Sequence, residues 1–284
     1  MFVRVNGARL FFDVEGAKYV PDGPALREKP TLLLLHGGPG LDHSSWKPDF
    51  AQLGDLAQLI YLDHRGNGRS ERGTSESWNL EQWADDVRGF CDALGIERPI
   101  VMGGSFGGFV AIAYAVRHPE HPAKLIFSST SARPNLPRML DRFAARGGPT
   151  ARAAAERFWT DPGPDTLPAY LTDAMRWYNT TARSADVMRR AILNLDLLFH
   201  FARHGHGFDY LGQLARVRCP TLVLGGALDP VCPIEDQVEI AAALPPHLVR
   251  FERFEKAGHG VYRDEPERGF AVLREFLGAA PAAR

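Results

Sequence analysis

Apolar and polar positions alternate from the start of the chain. Phe2–Val5 and Arg9–Val14 flank Asn6-Gly7, a dipeptide suited to a tight hairpin turn, so an antiparallel edge is expected to begin a sheet. A Pro/Gly-rich connection covers Tyr19–Pro30. Thr31–Leu35 is then a continuous apolar run, the pattern of a strand buried on both faces. Beyond it the pattern switches repeatedly between strand and helix. Trp46–Gly54 is a candidate helix and Ala57–Leu62 a strand. Leu80–Gly95 places Trp83, Val87, Phe90 and Leu94 at helical spacing. Ile100–Met102 is a short strand, Phe106–Arg117 a helix ending before Pro119, and Leu125–Ser128 a strand. This alternation predicts a parallel sheet with right-handed crossovers.

From about Arg133 to Tyr210 the alternation stops. Helical patterns occupy Pro137–Arg146, Thr150–Thr160, Leu167–Asn179 and Ser184–Arg203, with no convincing strand. Residues 133–210 therefore read as an all-helical insertion, a cap, and residues 1–132 and 211–284 as the core. Sheet pattern returns at Thr221–Leu224 and Leu248–Phe254, with helices at Ile234–Leu244 and Pro266–Leu277.

Composition adds limits. The chain has 284 residues, 45% hydrophobic and 24% charged, with a formal net charge of −1, so no global field draws it to nucleic acid or to an anionic membrane. Arg138, Arg142, Arg146 and Arg152 follow one another at helical spacing and read as a solvated helix face. Cys91, Cys219 and Cys232 are odd in number and lack C-x-x-C spacing, which fits a reducing compartment better than a disulfide framework. The N-terminus does not look like a signal peptide, and no apolar stretch approaches the roughly 18 residues of a membrane span. A cytoplasmic location is the expectation.

The chemistry starts at Gly103-Gly104-Ser105-Phe106-Gly107-Gly108, a G-x-S-x-G motif between an apolar strand and an apolar helix. Small neighbours let Ser105 occupy a strained turn with its hydroxyl projecting. The Phe106 N–H, at a helix N-terminus, then points toward developing negative charge. His36-Gly37-Gly38-Pro39-Gly40 follows a parallel strand, and the Gly38 N–H is the second candidate oxyanion donor. The loop lacks both nucleotide-binding glycine patterns. Asp229 and His259 each follow a later strand, in the order Ser, Asp, His. A serine hydroxyl is a poor nucleophile until a base takes its proton. Histidine accepts and returns protons near neutrality, and a carboxylate fixes its tautomer. Of the histidines, His259 follows both Ser105 and Asp229 and sits in a Gly-His-Gly loop. His200, His204 and His206 lie in the cap. Asp63 reads as a tie for the turn after its strand, and Asp236 lies within a helix. No metal-ligand spacing occurs, and no cofactor is expected.

Together HGGPG (His36–Gly40), DHRGNGRS (Asp63–Ser70), GGSFGG (Gly103–Gly108), Asp229 and the Gly258-His259 loop resemble the α/β-hydrolase superfamily, most closely its proline iminopeptidase branch. The resemblance spans nearly the whole chain. It implies an α/β-hydrolase fold, a mostly parallel eight-stranded sheet flanked by helices with a helical cap. It also implies a cofactor-free Ser–Asp–His enzyme, and for that branch removal of N-terminal proline. Phe106 stands where that branch usually has Trp. An aminopeptidase also has to hold a substrate ammonium, for which the branch uses cap glutamates. The matching stretch here, Asn194–Phe201, has a single acid, Asp196. Trp159, Trp177, Tyr178, Asp196 and Phe199 are the candidate substrate contacts, and the aromatics among them favour an apolar acyl or aryl group. The expected substrate is a small ester, amide or short peptide. A proline iminopeptidase, a carbon–carbon bond hydrolase and a non-catalytic ligand-binding relative are the competing readings. Oligomeric state is not legible.

Overall fold

The computed structural model describes residues 1–182, 185–205 and 207–278. Strands β1 (Phe2–Val5) and β2 (Ala8–Glu15) form the expected hairpin, with Asn6 and Gly7 both at positive φ (46° and 80°). The Tyr19–Pro30 connection is itself a hairpin, β3 (Tyr19–Asp22) with β4 (Ala25–Glu28). Neither strand buries a face, so no hydrophobic alternation announced it.

The core sheet continues through β5 (Thr31–Leu35), β6 (Gln58–Leu62), β7 (Ile100–Gly104), β8 (Lys124–Ser128), β9 (Thr221–Gly226) and β10 (Val249–Phe254). Its eight strands run in the order β1-β2-β6-β5-β7-β8-β9-β10, parallel from β6 onward, with β2 antiparallel to β6. Every residue of β5 and β8 is buried, as both-face coverage requires. Helix α1 (Leu80–Ala93) is capped by the Asn79 side chain and turns Trp83, Val87 and Phe90 inward. Helix α2 (Phe106–Arg117) lies so deep that ten of its twelve residues are buried. The stretch predicted as a helix at Trp46–Gly54 consists of two 3₁₀ segments, His43–Trp46 and Asp49–Asp55.

Between β8 and β9 the described elements are helical. Helix α3 (Leu136–Thr160) joins two of the predicted helices across a kink at Gly148, where φ is 71°. Helix α4 (Leu167–Ala169) runs into a π turn at Tyr170–Ala174 and a 3₁₀ turn at Met175–Trp177. The single helix expected over Ser184–Arg203 is instead two, α5 (Ala185–Arg190) and α6 (Leu195–His204). Asn194 breaks it by accepting the Leu197 N–H as an N-cap. Ser184 and His206 lie outside the described residues. Helices α7 (Ile234–Ala243), α8 (Val261–Asp264) and α9 (Pro266–Gly278) complete the chain. Among the described residues, no helix is long and apolar enough to cross a membrane.

The arginine row on α3 is only in part the solvated face its spacing predicts. Arg138 donates to Asp236 at 2.5 Å and to Glu239 at 2.5 Å, and Arg142 pairs with Glu235, so these two tie α3 to α7. Arg146 instead donates to the Trp177 carbonyl at 3.4 Å, and Arg152 pairs with the exposed Asp141 on α3 itself. Helical spacing shows that side chains share a face, not what that face meets. Burial raises the Asp236 carboxyl to about 6 in spite of the Arg138 guanidinium beside it. With the folded value above the ordinary 3.8, folding takes up a proton there. The resulting stabilisation is complete below about pH 4 and is lost as pH rises through 6. Between pH 4 and 7 the stability of Asp236→Asn, measured by urea unfolding, is therefore expected to gain on the wild type by up to about 3 kcal/mol. A difference that stays flat with pH would contradict this.

Candidate active site

Ser105 is the single residue between the end of β7 and the start of α2. Its backbone sits at φ 54° and ψ −122°, a conformation that side-chain-bearing residues rarely adopt. The turn is held by its backbone. The Ser105 N–H donates to Ser128 O at 3.0 Å, and its carbonyl accepts from Gly108 (2.8 Å), Phe109 (3.2 Å) and the Thr130 hydroxyl (2.9 Å). The flanking glycines have a steric cause. A Cβ on Gly103 would strike the Gly107 carbonyl, and one on Gly107 would strike the Leu35 carbonyl. Strand β7, helix α2 and strand β5 thus approach too closely for any side chain there.

The His36–Gly40 loop passes directly beside this turn, since a Cβ on Gly37 would lie 3.1 Å from the Ser105 Cβ. Gly38 adopts a left-handed φ of 70°, and its carbonyl accepts the Leu41 N–H at 2.9 Å. The loop is pinned on its other side by Asn67, whose Oδ1 accepts the Gly40 N–H at 2.7 Å. Phe106 opens α2, where its N–H has no carbonyl one turn back to bond. Its ring is 1% exposed and packs on His64, Trp83 and Phe201, so it also anchors the turn.

Asp229 and His259 meet. The His259 Nδ1 lies 2.7 Å from Asp229 Oδ2, while Asp229 Oδ1 accepts the N–H groups of Val231 (2.9 Å) and Cys232 (3.0 Å). Asp229 is 1% exposed. Two backbone N–H groups fix one carboxylate oxygen, so the other holds the imidazole in one orientation.

The rival acids and histidines have other work. Asp63 accepts from the backbone of His43 (3.1 Å) and Arg69 (2.9 Å) and contacts His43 Nδ1 at 2.7 Å, which ties the turn as its position predicts. His36 Nε2 accepts the His64 N–H at 3.3 Å, and burial holds both imidazoles below the ordinary histidine range. His200 and His204 lie with tilted rings 5.1 Å apart on α6, His200 edge-on to Trp78.

The candidate substrate contacts separate. Tyr178 packs edge-on against the His259 ring, with centroids 5.4 Å apart. Its hydroxyl bonds that of Tyr170, which accepts the Trp159 indole N–H at 3.1 Å. Tyr178, Tyr170 and Trp159 therefore form one aromatic row leading away from His259. Phe199 packs into the apolar cluster of the helical segment. Trp177 turns away, its indole lying against Gly147 beside the α3 kink. Asp196 is exposed on the first turn of α6. Sequence reasoning missed Tyr170, Asn179 and Asn194. Asn194 was detectable as an N-cap residue before an apolar run. Asn179 was not, since it only ends a helical pattern and its partner, Gly260, lies 81 positions further on.

Among the described residues, no group of three His, Cys, Asp or Glu side chains is placed to hold a metal. A model of the alpha/beta hydrolase fold matches residues 30–266. RutD of Caulobacter sp. (strain K31), a protein named for carbamate hydrolysis, is 29% identical over 277 residues, covering 95% of this chain and 98% of its own. The proline iminopeptidase PfmaB of Pestalotiopsis fici is 26% identical over 289 residues, covering 97% and 98%. The solved structure of a Mycobacterium smegmatis proline iminopeptidase superposes with a TM-score of 0.76 at 23% identity, covering 98% of this chain and 97% of that one.

Proposed function

The chain belongs to the alpha/beta hydrolase fold family and is a hydrolase, and we propose that it cleaves small esters or amides lacking a free α-ammonium, through an acyl-enzyme on Ser105. In this reading His259 takes the Ser105 proton as the hydroxyl oxygen attacks the substrate carbonyl carbon. The N–H groups of Gly38 and Phe106 hold the oxyanion. The tetrahedral intermediate collapses, His259 protonates the leaving group, and a water activated by His259 releases the acid. Asp229 orients His259 and stabilises its imidazolium. Residues 133–210 act as the cap over this site, with Tyr178, Tyr170 and Trp159 as its wall nearest His259. Any contribution of Phe199 comes through the packing of that wall.

The observation that carries the substrate reading is the disposition of buried carboxylates. Among the described residues these are Asp42, Asp63, Asp86, Asp229, Asp236 and the side chain of Asp264, which accepts the N–H groups of Gly258, Thr180 and Thr181. Asp42 accepts the N–H groups of Ser44 and Ile192, Asp63 is held by His43 and Arg69, and Asp86 by Arg65. Asp229 is engaged by His259 and Asp236 by Arg138. None is left over to neutralise a substrate ammonium, and an unpaired buried ammonium is costly. The likeness to a protein named for carbamate hydrolysis supports the same chemistry, since a carbamate nitrogen is conjugated with its carbonyl and carries no ammonium charge.

Turnover of a p-nitrophenyl ester, an N-acetylproline anilide and a free proline anilide separates the readings. Cleavage of the ester or the blocked anilide in preference to the free amine is expected. Cleavage confined to the free proline anilide would replace this proposal with a proline iminopeptidase, the reading favoured by the likeness to PfmaB.

A further inference from the structure

The loop that carries His259 is held from outside the core. Its three central residues each give their N–H to a different acceptor. Gly258 donates to Asp264 Oδ2 at 2.8 Å, His259 to the Tyr178 carbonyl at 2.6 Å, and Gly260 to Asn179 Oδ1 at 2.6 Å. Two of these acceptors belong to the helical segment, some 80 positions earlier in the chain. The segment is stitched further by Asp264, which also accepts the N–H groups of Thr180 (3.0 Å) and Thr181 (3.1 Å) and the Thr181 hydroxyl (2.5 Å). Asp264 is thereby held below the ordinary carboxylate range, its burial outweighed by these donors.

This clasp explains the Gly-His-Gly sequence. Gly260 has a φ of −103°, which any residue adopts. What excludes a side chain is proximity. A Cβ on Gly258 would strike the Tyr178 carbonyl, and one on Gly260 would come within 2.7 Å of Asn179 Oδ1. The two glycines are vacated so that the 178–181 segment can lie directly on the loop.

We propose that Asn179 is a positioning residue for His259, an inference that rests on the Ser105–His259–Asp229 reading. The imidazole is fixed at two points, by Asp229 at Nδ1 and by the loop backbone through its Cα. Tyr178 contributes a carbonyl that every residue has, and Thr180 and Thr181 reach Asp264 instead. Asn179 supplies a side-chain acceptor from the helical segment to the loop itself. Without it the Gly260 N–H loses its partner, and the loop is free to carry Nε2 off the line to Ser105. Misplacement of this kind slows the chemical step and leaves binding of a small substrate unaltered.

The test uses the full-length protein and a fluorophosphonate, whose covalent attachment to Ser105 needs the base and no particular substrate pocket. For Asn179→Ala the maximal labelling rate is expected to fall about tenfold, with the concentration for half-maximal rate within about twofold of wild type. Asn179→Asp keeps an acceptor for Gly260, so its maximal rate is expected to stay near that of the wild type. It also adds a carboxylate beside His259, where the neighbouring charged and titratable groups are Asp229, Asp264, Arg263 and Tyr178. The acid limb of its rate profile is therefore expected to move to higher pH. Wild-type labelling by Asn179→Ala, or an Asn179→Asp profile with no shift and a maximal rate about tenfold below that of the wild type, overturns the inference. The Asn179→Asp profile decides the matter even if the alanine variant is too unstable to assay. A wild type that is not labelled at Ser105 overturns the triad reading itself, which distinguishes that failure from a failure of the clasp.

Discussion

Ser105→Ala is expected to remove turnover, by a factor on the order of 10⁶ in kcat, and to leave the melting temperature unchanged. The two halves of this expectation have separate causes. The turn is held by the Ser105 backbone, through Ser128, Gly108, Phe109 and Thr130, and alanine keeps all four contacts. Alanine also tolerates the same positive φ no worse than serine does, because both carry one Cβ. What disappears is the oxygen that would form the acyl bond, and His259 then has no proton to take. Residual activity above the uncatalysed rate would come from the Gly38 and Phe106 N–H groups and from binding. Steady-state kinetics on the p-nitrophenyl ester, with circular dichroism melting alongside, check both halves. Undiminished turnover would remove Ser105 from the mechanism.

Asp229→Asn is expected to lower kcat by about 10⁴ with little change in fold. The reason lies in the count of hydrogen-bond donors. In the wild type one carboxylate oxygen faces His259 Nδ1, and the other accepts from Val231 and Cys232. Asparagine has one oxygen to give. If it serves the two backbone N–H groups, the amide NH₂ faces Nδ1 and forces the proton onto Nε2, where it blocks acceptance of the Ser105 proton. If the amide flips, its NH₂ confronts two N–H donors in a site that is 1% exposed. The first arrangement costs less and preserves the turn, so the protein stays folded in the wrong tautomer. A variant within tenfold of wild-type kcat would mean that Asp229 does not orient the base.

Much of the fold was legible because burial leaves a period in the sequence. The both-face burial of β5 and β8 wrote continuous apolar runs, and the one-sided burial of α1 wrote a 3.6-residue stripe. The β3–β4 hairpin wrote nothing, since neither of its faces is covered. The long helix expected over Ser184–Arg203 failed for a related reason. Propensity allowed it to continue, and the backbone of Asn194, drawn onto the Gly40 carbonyl at 2.7 Å, ended it.

Of the candidate site, the sequence by itself determined the parts that are local. A serine between an apolar strand and an apolar helix, and glycines where backbones cross, follow from steric rules that act within a few residues. The order Ser, Asp, His follows from where each strand ends. Tertiary structure alone decided what lies across from them. It set Tyr178, and not Trp177, edge-on to His259, exposed Asp196, spent Arg138 and Arg142 of α3 on α7, and laid Asn179 against Gly260. These contacts join segments separated by some 80 to 100 positions. Their polar atoms answer to whichever partner the packed sheet and helices bring near, and no period within either segment records that choice.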